Sequence, residues 1–209
     1  MAASALLTQS NMEWHTTLAP WNRTPQYING TKRLLREQWG IEDRASLLLQ
    51  LTSLDQGGMR QGFDAIGQRI SGLNEEQFQL VLASVRDDKN AAHSLTIARR
   101  HYQRLGAKGL VGWDYSRYVS LCRWGYYVGY LSEEEAWQGI MHAARIIQNT
   151  FSSWRELGEN YLIGREFWSY SQTQQDGKLM REIYERLLAD PGSPWNRIPW
   201  ALNLGGAGE

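Results

Sequence analysis

The chain has 209 residues, 42% hydrophobic and 21% charged, and its 22 Lys+Arg balance 22 Asp+Glu for a formal net charge of zero. That length and composition describe one globular domain rather than a disordered chain, and the lack of a basic excess argues against a dedicated nucleic-acid binder. Cys122 is the single cysteine, which excludes an internal disulfide and a cysteine-based zinc site.

Pro20, Pro25 and Gly30 break the pattern early, so residues 1–30 read as an irregular segment. Thr31 is placed to cap a helix that runs to Trp39 and is ended by Gly40. Asp43 or its neighbour opens the next, where Leu47, Leu48, Leu51 and Leu54 mark a core face up to Gly57-Gly58. A short helix from about Met59 to Ile70 follows, then Asn74 caps Glu75–Val85. Asp87 or Asp88 starts a longer helix to Leu105, with Ala91, Leu95, Ala98 and Tyr102 on one stripe. Gly106 and Gly109 bound a loop.

The second half is more strongly patterned. Asp114 is read as the cap of a helix carrying Tyr118, Cys122, Tyr126 and Tyr130 at a spacing of four. Gly125 and Gly129 share that helix, where each costs about 1 kcal/mol against Ala; a second helix packed on the bare stripe would offset it. Ser132-Glu133-Glu134-Glu135 has the form of a capping box, with three acids at the positive helix end. Its helix should bury Ala136, Ile140, Ala143, Ile147 and Phe151. Ser153 caps the next, with Leu157, Tyr161, Gly164 and Trp168 on one face, and Gly177 precedes a last helix, Lys178 to Ala189. No run alternates with the period of a strand, so the expected fold is an all-α, single-domain bundle of about eight helices over residues 31–200, with a flexible tail at 201–209.

Ten tryptophans and ten tyrosines stand against four phenylalanines. Rings with an apolar body and a polar tip suit a half-buried core, and they also suit a binding groove. One hexamer recurs: Pro20-Trp21-Asn22-Arg23-Thr24-Pro25 and Pro194-Trp195-Asn196-Arg197-Ile198-Pro199. It is either coincidence in a Trp-rich chain or a pair of Pro-fixed segments, each seating a Trp on the helical body as neighbours.

Arg117, Arg123, Arg145 and Arg165 interleave with Asp114, Glu135, Glu156, Glu159 and Glu166. Such a set forms either a cleft that grips an anion and does acid–base work or a network of ion pairs tying helices together. His93 and His101 are eight apart and His15 and His142 lack partners at motif spacing, so no metal site is expected. No nucleophile elbow and no phosphate-cradling glycine loop occurs, and no cofactor is expected. No stretch of about 18 apolar residues suggests a membrane span. Met1–Leu7 lacks the charged and apolar regions of a signal peptide, so the expected compartment is the cytoplasm.

The run from Asp114-Tyr115-Ser116-Arg117 through Arg123-Trp124-Gly125-Tyr126 to Gly129–Trp137 resembles the core of the bacterial domain of unknown function 1266 (DUF1266). Ser153-Trp154, Tyr161–Trp168, Trp39-Gly40-Ile41 and Arg44–Leu48 are similar to that family as well, and the likeness spans about residues 31–200. It implies a bacterial, cytosolic helical domain with no established activity. Some members lie beside secreted polymorphic toxins, which implies immunity-type binding proteins. The chain is accordingly expected to be a module that holds a protein partner, with no nucleic acid or membrane as partner, through Trp124, Tyr126, Trp137, Trp154, Arg165 and Trp168. Two alternatives stand: an enzyme using Asp114, Arg117, Arg123, Glu135, Arg165 and Glu166 in an anion-binding cleft, or a toxin domain.

Overall fold

The structure, a computed structural model, describes residues 1–205. The chain is all-α, with no strand among the described residues. A 3-10 turn at Ala2–Ser4 leads into α1 (Ala5–Ser10), followed after a coil segment by α2 (Pro25–Trp39), α3 (Arg44–Gln56), α4 (Gly58–Ile70) and α5 (Glu75–Ser84). Then come α6 (Lys89–Leu105), a 3-10 turn at Gly106–Lys108, α7 (Val111–Val128), α8 (Glu133–Thr150), α9 (Trp154–Trp168), α10 (Tyr170–Ala189) and α11 (Pro194–Arg197). No helix among the described residues is long and apolar enough to cross a membrane.

Local chemistry accounts for most helix ends. Asp43, Asn74 and Ser132 each form a full capping box, and Asp88, Ser153, Ser169 and Ser193 each accept one amide of the first turn. Such caps satisfy amides that have no intrahelical partner. In α8 the expected Ala136, Ile140, Ala143 and Ile147 are buried, as is Phe151 just beyond its end.

Several boundaries differ from the sequence expectation. α2 starts six residues before the Thr31 cap, because Thr24 accepts the Tyr27 amide and Pro25 occupies the first helical position, where its missing N–H costs nothing. The segment before it is partly helical, and Ala2, Ala5 and Leu6 join a core. Leu48 is 41% exposed and off the α3 core face, which is formed by Leu47, Leu51 and Leu54. α10 runs through Gly177 and starts at Tyr170. Gly129 is not within a helix; it ends α7 at φ +86°, where an L side chain is strained. Gly125 does take a close approach, since a Cβ there would lie 2.5 Å from Leu47 Cδ2 of α3.

The expected flexible tail begins as a tied strand of chain: Gln148 of α8 donates to the Trp200 and Leu202 carbonyls, and Arg145 to those of Leu204 and Gly205. Residues 206–209 lie outside the described residues.

α7 is the organising element. It buries residues on every face, as expected of a helix in the middle of a core, and it packs most extensively on α8 and α9. Two cores lie around it. One gathers Leu47 and Leu51 of α3, Val119 and Tyr127 of α7 and Ile140 and Ala143 of α8. The other gathers Phe63 of α4, Ile97 and Ala98 of α6, Tyr161 and Phe167 of α9 and Ile183 and Tyr184 of α10. The two repeated hexamers are not neighbours on one core. Trp21 packs on Tyr27 and Tyr127 beside the first, whereas Trp195 is buried in the second, donating to the Ala2 carbonyl at 2.9 Å.

Candidate functional site

Four helices turn one face each toward a common cavity of about 340 Å³. α7 supplies Trp113, Arg117 and Trp124, α9 supplies Tyr161, Arg165 and Trp168, α10 supplies Gln172, Asp176 and Leu179, and α2 supplies Leu34, Gln38 and Trp39. On α7, α9 and α10 the contributions fall at i, i+4 and i+7 or i+11, the spacing of one helix face. Leu7, Ser10 and Asn11 of the N-terminal segment close the remaining side.

The cavity is built around two guanidiniums. Arg117 is clamped between indoles, its Cζ 4.5 Å from the centroids of both Trp39 and Trp113. That geometry uses the faces of the guanidinium plane and leaves its edge to hydrogen bonding. Its Nη1 is buried and has no hydrogen-bond partner among the described residues. Burial pushes Arg117 below the usual guanidinium range, while the charge of Asp114 opposes this; a guanidinium nevertheless stays protonated in a protein.

Arg165 is pinned by a pair from Nη2 to Asp176, and its Nε is buried without a partner. A third such donor, Trp113 Nε1, belongs to a side chain only 3% exposed, whose ring packs on Tyr161 and Trp168 at 5.0 and 5.9 Å. A Cβ on Gly164 would lie 2.2 Å from Trp113 Cβ, so only glycine lets α9 and α7 approach closely enough to seat this indole. Burial pushes the Tyr161 hydroxyl up to about 12, so it stays protonated at neutral pH.

Of the six residues expected for an enzyme, only Arg117 and Arg165 meet here. Asp114 is fully buried and caps a helix other than its own: it accepts from the Met59 and Arg60 amides at 2.9 and 3.1 Å and pairs with Arg60 Nη1 at 3.1 Å. Burial pushes its carboxyl up, against those hydrogen bonds. Arg123 is fully buried and holds the N-terminal segment, bonding Thr8, Glu13 and the carbonyls of Trp14, Thr17 and Leu18. Glu135 closes the α8 capping box and pairs with Arg44, and Glu166 pairs with Arg181. The six do not line one cleft: Asp114 pairs with Arg60, Glu135 with Arg44 and Glu166 with Arg181, and Arg123 pairs with Glu13.

Of the six residues expected for binding, Trp124, Arg165 and Trp168 border the cavity. Trp124 is held by a 2.9 Å bond from its indole nitrogen to Glu13, and Trp168 is 38% exposed at the mouth. The other three lie elsewhere. Tyr126 is half-buried under Arg23, and Trp154 donates to the Ile198 carbonyl and packs edge-on against Trp200. Trp137, 40% exposed, borders a separate cavity with Trp14. Arg145, Glu156 and Glu159 are taken up by the C-terminal carbonyls, Lys108 and the Tyr184 hydroxyl. Cys122 is buried, which pushes its thiol up to about 12. Trp39, Trp113, Tyr161 and Asp176 were not among the expected site residues. For Trp113 and Tyr161 the signal was the shared helical period of 113, 117 and 124 with 161, 165 and 168, which only a known packing of α7 on α9 makes meaningful; Trp39 and Asp176, on α2 and α10, had none.

The family described as "Protein of unknown function (DUF1266)" matches residues 34–200. The uncharacterised protein YbeR of Escherichia coli (strain K12) is 28% identical over 178 residues, covering 80% of this chain and 70% of YbeR. The uncharacterised protein YbeU of the same organism is 22% identical over 195 residues, 87% of this chain and 82% of its own. No solved structure matches.

Proposed function

The chain belongs to the DUF1266 family, and from that premise we propose that it is a binding module whose site is the cavity between α2, α7, α9 and α10, seating a small ligand with an anionic group. One observation carries this reading. Four buried side-chain atoms among the described residues lack a hydrogen-bond partner, and three of them, on Arg117, Arg165 and Trp113, belong to residues lining this one cavity. Each unpaired buried donor costs about 1–3 kcal/mol, and an oxyanion accepting from all three would remove that cost. Binding fits better than acid–base catalysis, because the carboxylate at the cavity, Asp176, is held by Arg165.

The test is titration with small oxyanions, acetate and inorganic phosphate, followed by calorimetry and by the fluorescence of the lining indoles. Arg117→Met keeps the volume and removes the charge. The expected result is anion binding that weakens at least tenfold in the variant; anion affinity unchanged by the substitution would sink the proposal.

A second reading rests on a separate surface. Trp14, 44% exposed, and Trp137, 40% exposed, border one cavity of about 780 Å³, and exposed indoles are the side chains that most often anchor protein interfaces. In this reading the chain is an immunity-type protein of the bacterial cytoplasm that holds a cognate toxin on that face. Co-expression with the product of the adjacent gene should give a complex that Trp14→Ala/Trp137→Ala weakens and should protect the cell. Recovery of the chain alone, with no protection, counts against it.

A further inference from the structure

Resting on the anion-binding reading above, we infer that the ligand is an aromatic monocarboxylate, its carboxylate held by Arg117, Arg165 and Trp113 and its ring laid against Trp168. The charge at the cavity selects the head group. The ionised side chains that line it are Arg117, Arg165 and Asp176, which leaves one unit of positive charge. Nearby ions already have partners: Asp114 pairs with Arg60, and Glu13 with Arg123. A monoanion closes the cavity to neutrality. A phosphate dianion would leave an unmatched negative charge among indoles, which is costly in a poorly solvated site.

The donor geometry accommodates a carboxylate. Arg165 has one arm committed to Asp176, while Arg117, stacked between two indoles, keeps its edge for hydrogen bonding, so the preference for a monoanion rests on the charge at the cavity. The buried donors without a partner are Nη1 of Arg117, Nε of Arg165 and Nε1 of Trp113, on three side chains and enough for the two oxygens of a carboxylate.

The walls select the body. Beyond the guanidiniums the lining mixes the polar Ser10, Asn11, Gln38 and Gln172 with an apolar side that includes Leu34, Trp39, Trp124, Trp168, Leu179 and Met180, and it is against that apolar side that the body would lie. Trp168 is the indole at the mouth with substantial exposed surface, at 38%, and its other neighbour, Trp113, is buried behind it. A flat ring stacking on it covers that surface and gains beyond simple area burial. A cavity of about 340 Å³ has room for on the order of ten non-hydrogen atoms at the volume water occupies, the size of a phenyl ring with a short carboxylate arm.

The experiment is calorimetric titration of the full chain with four probes: phenylacetate, cyclohexylacetate, phenyl phosphate and acetate. The expected order is phenylacetate tightest, with cyclohexylacetate, phenyl phosphate and acetate each at least tenfold weaker. Arg117→Met should weaken phenylacetate at least tenfold. Trp168→Ala, at a partly exposed position, should weaken phenylacetate but not acetate, and it serves if the Arg117 variant does not fold. Phenyl phosphate binding as tightly as phenylacetate overturns the monocarboxylate assignment and leaves the anion reading standing. Equal affinity for cyclohexylacetate overturns the aromatic body alone. Failure of all four, together with failure of inorganic phosphate, removes this inference and the anion reading together.

Discussion

Truncating Glu13 to Ala should destabilise the chain by about 3–5 kcal/mol, the cost of leaving a buried charge without its partner. The side chains of Glu13 and Arg123 are both fully buried, with Oε2 of Glu13 2.8 Å from Nη1 of Arg123. Oε1 accepts from the Trp124 indole at 2.9 Å and from Asn11 at 3.0 Å. Burial pushes Glu13 above and Arg123 below their ordinary ranges, each opposed by the other's charge. Desolvation therefore outweighs attraction, and the pair specifies where the N-terminal segment docks more than it adds stability. Removing one member exposes the penalty that the other was offsetting. Glu13→Ala strands the Arg123 guanidinium and the Trp124 N–H; Glu13→Gln keeps acceptor and volume and should cost less, about 1–3 kcal/mol. Since domain stabilities are about 5–15 kcal/mol, the Ala variant should lose a large fraction of the total. Urea unfolding followed by indole fluorescence reads the difference, and limited proteolysis near residues 10–24 reads the loosened segment. Because Leu7, Ser10 and Asn11 line the cavity, anion affinity should fall with it. A loss under about 1 kcal/mol for Glu13→Ala, with unchanged proteolysis, would refute the argument that this buried pair seats the segment.

Asp114→Ala should cost about 3–5 kcal/mol, since it unpairs Arg60 and uncaps α4 in a fully buried place; Asp114→Asn, which retains one acceptor, should cost less by the same urea titration. Gly164→Ala should cost about 1–3 kcal/mol through overpacking against Trp113, 2.2 Å from the new methyl, and should weaken anion binding because that indole is displaced. Glu135 is held down to about 2 from an ordinary 4.5, by Arg44 first and then by the Ser132 amide. Its folded value lies below its unfolded one, so its contribution is complete above pH 4.5 and is lost as the pH falls toward 2; Glu135→Gln should flatten the melting-temperature profile in that window and leave its slope above it unchanged. The Cys122 thiol, buried and pushed up to about 12, should resist a thiol-disulfide reagent at pH 8 in the folded chain and react only on unfolding; rapid reaction in the folded state would contradict its burial.

What the sequence settled by itself is what i, i+3 and i+4 neighbours settle. The caps at Asp43, Asn74, Ser132 and Ser153 and the buried stripe of α8 involve groups within one turn of each other, so their energetics are local. The Thr24-Pro25 start of α2 was equally local, a cap followed by a proline at the first helical position, but Pro25 read as a breaker. α1, six residues long, had no such signal, because so short a helix is not stable alone and forms only when docked. Gly177 ends no helix because α10 buries Met180, Ile183 and Tyr184 just beyond it, and packing overrides a weak local penalty.

Charge partnership belonged entirely to the tertiary structure. Nothing near Asp114 in sequence says that it will cap α4, more than fifty residues earlier, or that Arg123 will bind a glutamate at position 13. An isolated charge pattern fits many pairings of similar energy, and only the approach of whole helices selects one. The cavity follows the same rule: its arginines and indoles were visible as residue types, but the faces of α2, α7, α9 and α10 meet only because the two cores around α7 fix how those helices cross.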